Sequence, residues 1–207
     1  MSDPVVPERQ EGSAMSKTSQ CSDNSSGKPE TPSAGLSFQQ VSSKHGKRDR
    51  VVLVMADDDE DDCLVVSEAL KLACTGCTFC CVRDGADMMD YLNRIGRHRH
   101  PESSPVPDII LLDLNMPKMG GREVLKRLKT DPRFRAIPVI ILTTSRELED
   151  VKICYDLGAN SYITKQASFD EVVSAMKTLT EYWIEIATLP PRKAQTLDPI
   201  EPDTLSS

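Results

Sequence analysis

At 207 residues the chain is long enough for one well-cored domain with loose ends, or for two very small ones. A net charge of −7 with only 4% aromatic residues argues against nucleic acid and anionic membranes as partners, because phosphate surfaces repel such a chain and few rings are on hand to stack on bases. No apolar stretch reaches bilayer-crossing length, and the start, MSDPVVPERQ, lacks the apolar core of a secretory leader, so a cytoplasmic protein is expected.

Residues 1–48 are rich in Ser, Pro, Gly, Lys and Gln without apolar periodicity, and are expected to be a disordered tail. Their basic end, Lys44 to Arg48, reads as a solvated linker. From about 49 to 188, apolar runs alternate with stretches of helical period, the pattern of an α/β domain with a parallel sheet covered on both faces. Five strands are predicted: VVLVMA (51–56), CTFCCV (77–82), DIILLD (108–113), PVIILT (138–143) and SYIT (161–164). Five helices are predicted between and after them, at 62–72, 86–95, 122–129, 147–157 and 169–187. The Pro-rich end, 189–207, reads as a second disordered tail, which leaves no room for an output domain.

Seven cysteines cannot all pair within one chain, and reduced thiols are the simplest expectation. Cys74, Cys77, Cys80 and Cys81 contain two C-x-x-C steps, so a zinc site stays open beside the simpler reading of a strand in which cysteine is a small apolar residue.

In a parallel sheet, functional groups gather beyond the carboxyl ends of the strands. Here the first strand runs into Asp57, Asp58 and Asp59, the third ends on Asp113, the fourth on Thr143, and the fifth is followed by Lys165. Singly, each has an ordinary explanation: an acidic loop, a β-branched residue filling a strand, a solvated lysine. Together they suit phosphoryl transfer to a carboxylate. Asp57, Asp58 and Asp113, with a backbone carbonyl near Asn115, offer hard oxygens to Mg2+. Asp113 would be the nucleophile. Lys165 and Thr143 would meet the phosphoryl oxygens, and Lys165 would keep Asp113 ionised at rest.

The segments ADDDEDD, LLDLNMPKMGGREVLKRLK, IPVIILTTS and LGANSYITK resemble the receiver domains of response regulators over about residues 50–187. The resemblance implies a flavodoxin-like doubly wound sheet in the order 2-1-3-4-5, and a single-domain regulator that takes a phosphoryl group on Asp113 in a two-component phosphorelay rather than an enzyme acting on others. It implies Asp57 and Asp58 as the acidic pair, Thr143 and Tyr162 as the switch residues, and Lys165 as the active-site lysine. Implied partners are a sensor histidine kinase and a downstream protein target or phosphotransfer protein.

The loop GRHRHPESSPVPD, the phrase DPRFRAIPVIILTTS and the ending EYWIEIATLP are similar to the regulators of phytochrome-type kinases. That likeness implies such a kinase and a homodimer through helices 4 and 5 and the fifth strand.

Two departures stand out. Gln166 replaces the family's proline, usually cis-bonded, so the loop either stores strain or takes a trans path that displaces Lys165, and slower activation is expected. Thr144, where the family often has alanine, narrows access to Asp113. Two other readings remain. A haloacid-dehalogenase-type phosphatase would need an acid where Asn115 stands, and a pseudo-receiver would keep the fold without the chemistry.

Overall fold

The computed structural model describes residues 50–192; the expected N-terminal tail, Cys21 and most of the C-terminal tail lie outside them. Five parallel strands form one sheet: β1 (Val51–Ala56), β2 (Cys77–Val82), β3 (Ile109–Leu112), β4 (Val139–Thr143) and β5 (Ser161–Thr164). Their order is β2-β1-β3-β4-β5, as the resemblance implied. The helices are α1 (Glu60–Ala73), α2 (Gly85–Asn93), α3 (Gly121–Thr130), α4 (Leu148–Asp156) and α5 (Phe169–Thr180).

The alternation of side chains along β1 shows why both faces had to be covered. Val52, Val54 and Ala56 join a core with Met88, Leu92, Val124, Leu125 and Leu128 from α2 and α3. Val51, Leu53 and Met55 join the opposite core with Val66, Leu70, Met176 and Leu179 from α1 and α5. The central strands β1, β3 and β4 are wholly buried, while the edge strands β2 and β5 are mostly half-buried. This is why the central strands read as unbroken apolar runs.

Capping sets several boundaries that sequence placed a residue or two away. α1 begins at Glu60 rather than at 62, because the Asp59 carboxylate accepts from the amides of Asp61 and Asp62. α2 stops at Asn93 because Arg94 takes the left-handed conformation, φ 56°. The last helix is not one α-helix to 187: after Thr180 it widens into a π-turn, Glu181–Ile186, whose Trp183 and Ile184 stay packed on the core. The chain then reaches the amino end of β3, where the Arg192 guanidinium grips the buried Asp108 carboxylate. The long loop after α2 folds back onto that helix, with buried His98 between Asp87 (2.8 Å) and Ser104 (3.1 Å).

The expectation of reduced thiols needs correction. Cys63 is bonded to Cys81 and Cys74 to Cys77, with Cα atoms 6.2 and 5.8 Å apart. α1 lies over β2, which brings the first pair together, and the short α1–β2 turn brings the second. Those pairings leave Cys80 and Cys154 as the free thiols among the described residues, so the Cys74 to Cys81 segment is not a set of four thiolates around zinc.

Candidate functional site

The carboxyl end of the sheet gathers the acids that sequence singled out. β1 delivers Asp57 into the interior, 2% exposed, and leaves Asp58 exposed beside it. β3 delivers Asp113, 4% exposed. Oxygens of Asp57, Asp58 and Asp113 lie within 4.8 Å of one another. Burial of this kind is costly for like charges unless a cation is near.

Lys165 supplies one cation, carried in by β5. Its backbone N–H donates to the Thr143 carbonyl (2.8 Å), which fixes the lysine at the mouth of the site. Its Nζ is 2.7 Å from Asp57, 2.6 Å from Asp62 and 3.7 Å from Asp113. Lys165 therefore reaches Asp113, as expected of the active-site lysine, while Asp57 and Asp62 hold it more closely. No peptide bond among the described residues is cis, so the chain takes the trans path through Gln166.

Burial pulls the Lys165 ammonium down, but its ion pairs with Asp57 and Asp62 outweigh this and raise it, so it stays charged. Burial pushes the Asp57 carboxyl up to about 6, against the pull of Lys165 and of the Asp59 amide. Asp57 Oδ2 meets Lys165 without hydrogen-bond alignment and has no aligned donor of its own. A buried oxygen left this way, among clustered carboxylates, suits a hard divalent cation.

The loop after β3 is closed tightly around Asp113. The Asn115 amide donates to Asp113 Oδ2 at 2.8 Å, and Gly121 N–H donates to the Leu114 carbonyl at 3.0 Å. A Cβ on Gly121 would lie 2.0 Å from the Asp113 carbonyl oxygen, so only glycine fits there.

Thr143 is fully buried at the end of β4. Half-buried Tyr162 donates its hydroxyl to the Ser145 carbonyl (3.1 Å), and Ser145 donates its own hydroxyl to Asp150 (2.6 Å). Arg122, on the first turn of α3, holds the other Asp150 oxygen. The Ser145 hydroxyl, with Arg122, keeps the Asp150 carboxyl below the usual range. Sequence reasoning missed Asp62, Ser145, Asp150 and Arg122. The signal for Asp62 was its place one turn beyond Asp58 on a helix whose start had been set two residues late.

The response regulator receiver domain model matches residues 52–177. The response regulator Rcp1 of Synechocystis sp. is 37% identical over 139 residues, covering 67% of this chain and 92% of that protein. Among solved structures, the phosphorylated cyanobacterial phytochrome response regulator RcpA superposes with a TM-score of 0.64 at 38% identity, covering 69% of this chain and 99% of that one. The Mn2+-bound form of Rcp1 gives 0.62 at 37%, covering 68% and 99%. With the sheet order and the acidic cluster already in place, these matches show that the chain belongs to the response regulator receiver domain family.

Proposed function

We propose that this receiver accepts a phosphoryl group on Asp113 from the phosphohistidine of a sensor kinase. The observation that carries the reading is the Asp113 carboxylate at the end of β3, clustered with Asp57 and Asp58 and within 3.7 Å of an ammonium. An Asp113 oxygen attacks phosphorus, the O–P bond forms as the P–N bond to the histidine breaks, and the electron pair returns to the imidazole. Asp57, Asp58, Asp113 and the Asn115 carbonyl would hold Mg2+, which supplies positive charge to the phosphoryl oxygens. Lys165 meets a second phosphoryl oxygen, and the Thr143 hydroxyl donates to a third.

Drawing Thr143 inward disturbs the loop that Tyr162 holds through Ser145. Tyr162 then turns toward the vacated space, and the surface of α4, β5 and α5 changes. That surface carries exposed Leu148, Tyr155 and Phe169, which supports a homodimer and a protein target or phosphotransfer partner there. The likeness to RcpA favours a phytochrome-type kinase upstream. No helix among the described residues is long and apolar enough to cross a membrane, in keeping with the cytoplasmic location of our reading.

Intact mass after incubation with acetyl phosphate and Mg2+ tests the site. Wild type should gain one phosphoryl group and Asp113→Ala none. A gain kept by Asp113→Ala would move the acceptor elsewhere, and no gain by folded wild type would favour the pseudo-receiver.

A further inference from the structure

We propose that Asp62 is a positioning residue that holds Lys165 back from Asp113 until a phosphoryl group competes for it; this deepens the reading of Asp113 as the acceptor. Three carboxylates share the Lys165 ammonium, and the acceptor is the most distant of them, 3.7 Å against 2.6 Å for Asp62 and 2.7 Å for Asp57. Asp62 stands outside the group of acids that can share one ion, which is Asp57, Asp58 and Asp113. Its business is therefore with the lysine.

The three carboxylates differ in what it costs to let the lysine go. The Asp57 side chain is 1% exposed, and losing its cation would strand a buried charge. The Asp62 side chain is 39% exposed and can trade Lys165 for water at small cost. Asp62 is the contact that can be released. The helix start explains why this acid and not its neighbours reaches the lysine. Asp59 is spent on capping, with its carboxylate turned to the amides of Asp61 and Asp62, and Asp61 is exposed. Asp62 rises one turn beyond Asp58, on the side facing the strand ends.

Phosphorylation replaces a singly charged carboxylate at Asp113 by a group of nearly twice the charge, and this draws the ammonium over. The O–P bond forms at Asp113 and the bond from phosphorus to the leaving group breaks. No proton moves at the lysine, which remains an ammonium and exchanges Asp62 for a phosphoryl oxygen. Asp62 also repels an incoming phosphoryl dianion. Both effects slow phosphorylation of the resting protein.

The test compares full-length wild type, Asp62→Asn and Asp62→Glu. With saturating acetyl phosphate and Mg2+, followed by intact mass, Asp62→Asn should be phosphorylated about two- to fivefold faster, the size expected for freeing a partly exposed ion pair. Asp62→Glu should return the rate toward wild type. In metal-free protein, the NMR signal of the Lys165 ammonium should shift in Asp62→Asn and stay near its wild-type position in Asp62→Glu.

A rate at or below wild type in Asp62→Asn would overturn the proposal, as would an unmoved Lys165 signal. A loss of Mg2+ affinity of about tenfold or more would also overturn it, by making Asp62 part of the metal's own shell. If wild type accepts no phosphoryl group at all, the assignment of Asp113 fails, while the NMR comparison still decides whether Asp62 grips the lysine.

Discussion

Strand β3 has a buried carboxylate just before its first residue and another just after its last, and the two live in opposite circumstances. Asp108, 3% exposed, receives the Arg192 guanidinium on both oxygens and the Val52 amide at 2.9 Å. Its charge is matched by a forked cation and a dipole. Asp113, equally buried, sits beside Asp57 and Asp58, and has to share Lys165 with Asp57 and Asp62. At the amino end of the sheet a buried charge is satisfied and holds the chain's last described residues in place. At the carboxyl end, buried charges are crowded and are relieved by whatever positive group arrives. The first arrangement favours stability and the second favours binding.

The comparison can be broken most directly by removing Arg192. Arg192→Ala leaves Asp108 buried without its fork, and should cost about 2–3 kcal/mol in urea denaturation, somewhat less than for a fully buried pair because the arginine is partly exposed. Arg192→Lys should recover only part of this, since an ammonium cannot bind both oxygens. A cost below about 0.5 kcal/mol, the size of an ordinary surface substitution, would mean that the two ends do not differ as described.

At the other end the sign should reverse. The Asp57 carboxyl is pushed up to about 6 from 3.8, so its contribution to stability is full below the unfolded value and is lost as pH rises through the folded one. In metal-free protein at about pH 7.5, Asp57→Asn should therefore be more stable than wild type by on the order of 1–3 kcal/mol, and the gain should shrink toward zero near pH 4. Urea denaturation in the presence of a chelator at both pH values measures it. An Asp57→Asn variant less stable than wild type at the higher pH would show that Asp57, like Asp108, is a satisfied charge.

The smallest expected effect concerns the cation itself. A divalent ion must displace the Asp57 proton, so apparent affinity should be level above about pH 7 and weaken by up to about tenfold per unit below 6. Calorimetric titration with Mg2+ across this range checks it. Affinity that is unchanged down to about pH 5 would place the ion away from Asp57.

The strands were legible almost to the residue because a parallel strand buried on both faces needs apolar side chains throughout, and VVLVMA and IILL leave little choice. Asp57, Asp113, Thr143 and Lys165 were legible for a related reason: a polar residue that ends such a run can only emerge at the sheet's edge. Beyond Asp57 and Asp58, the sequence could not say which acid of DDDEDD does what. That division depends on helix phase: Asp59 turns back to cap, Asp61 faces solvent and Asp62 reaches Lys165. Phase is set by the cap itself. The cysteine pairs were hidden because one depends on how α1 lies against β2 and the other on the path of the turn between them, and Arg192 because its partner is 84 residues away in sequence. The widened turn after Thr180 was missed because an apolar stripe reads alike through an α-helix and a π-turn.

Gly121 gives the chain a landmark. Since a methyl group at that position would overlap the Asp113 carbonyl, a library randomised at 121 and selected for folded protein should return glycine almost alone, whether or not the survivors take up phosphate. The requirement comes from the path of the main chain and would persist in a variant stripped of every acid at the site. A glycine eight residues after a strand-ending aspartate therefore marks how this loop is built, and is silent about whether the chemistry still runs.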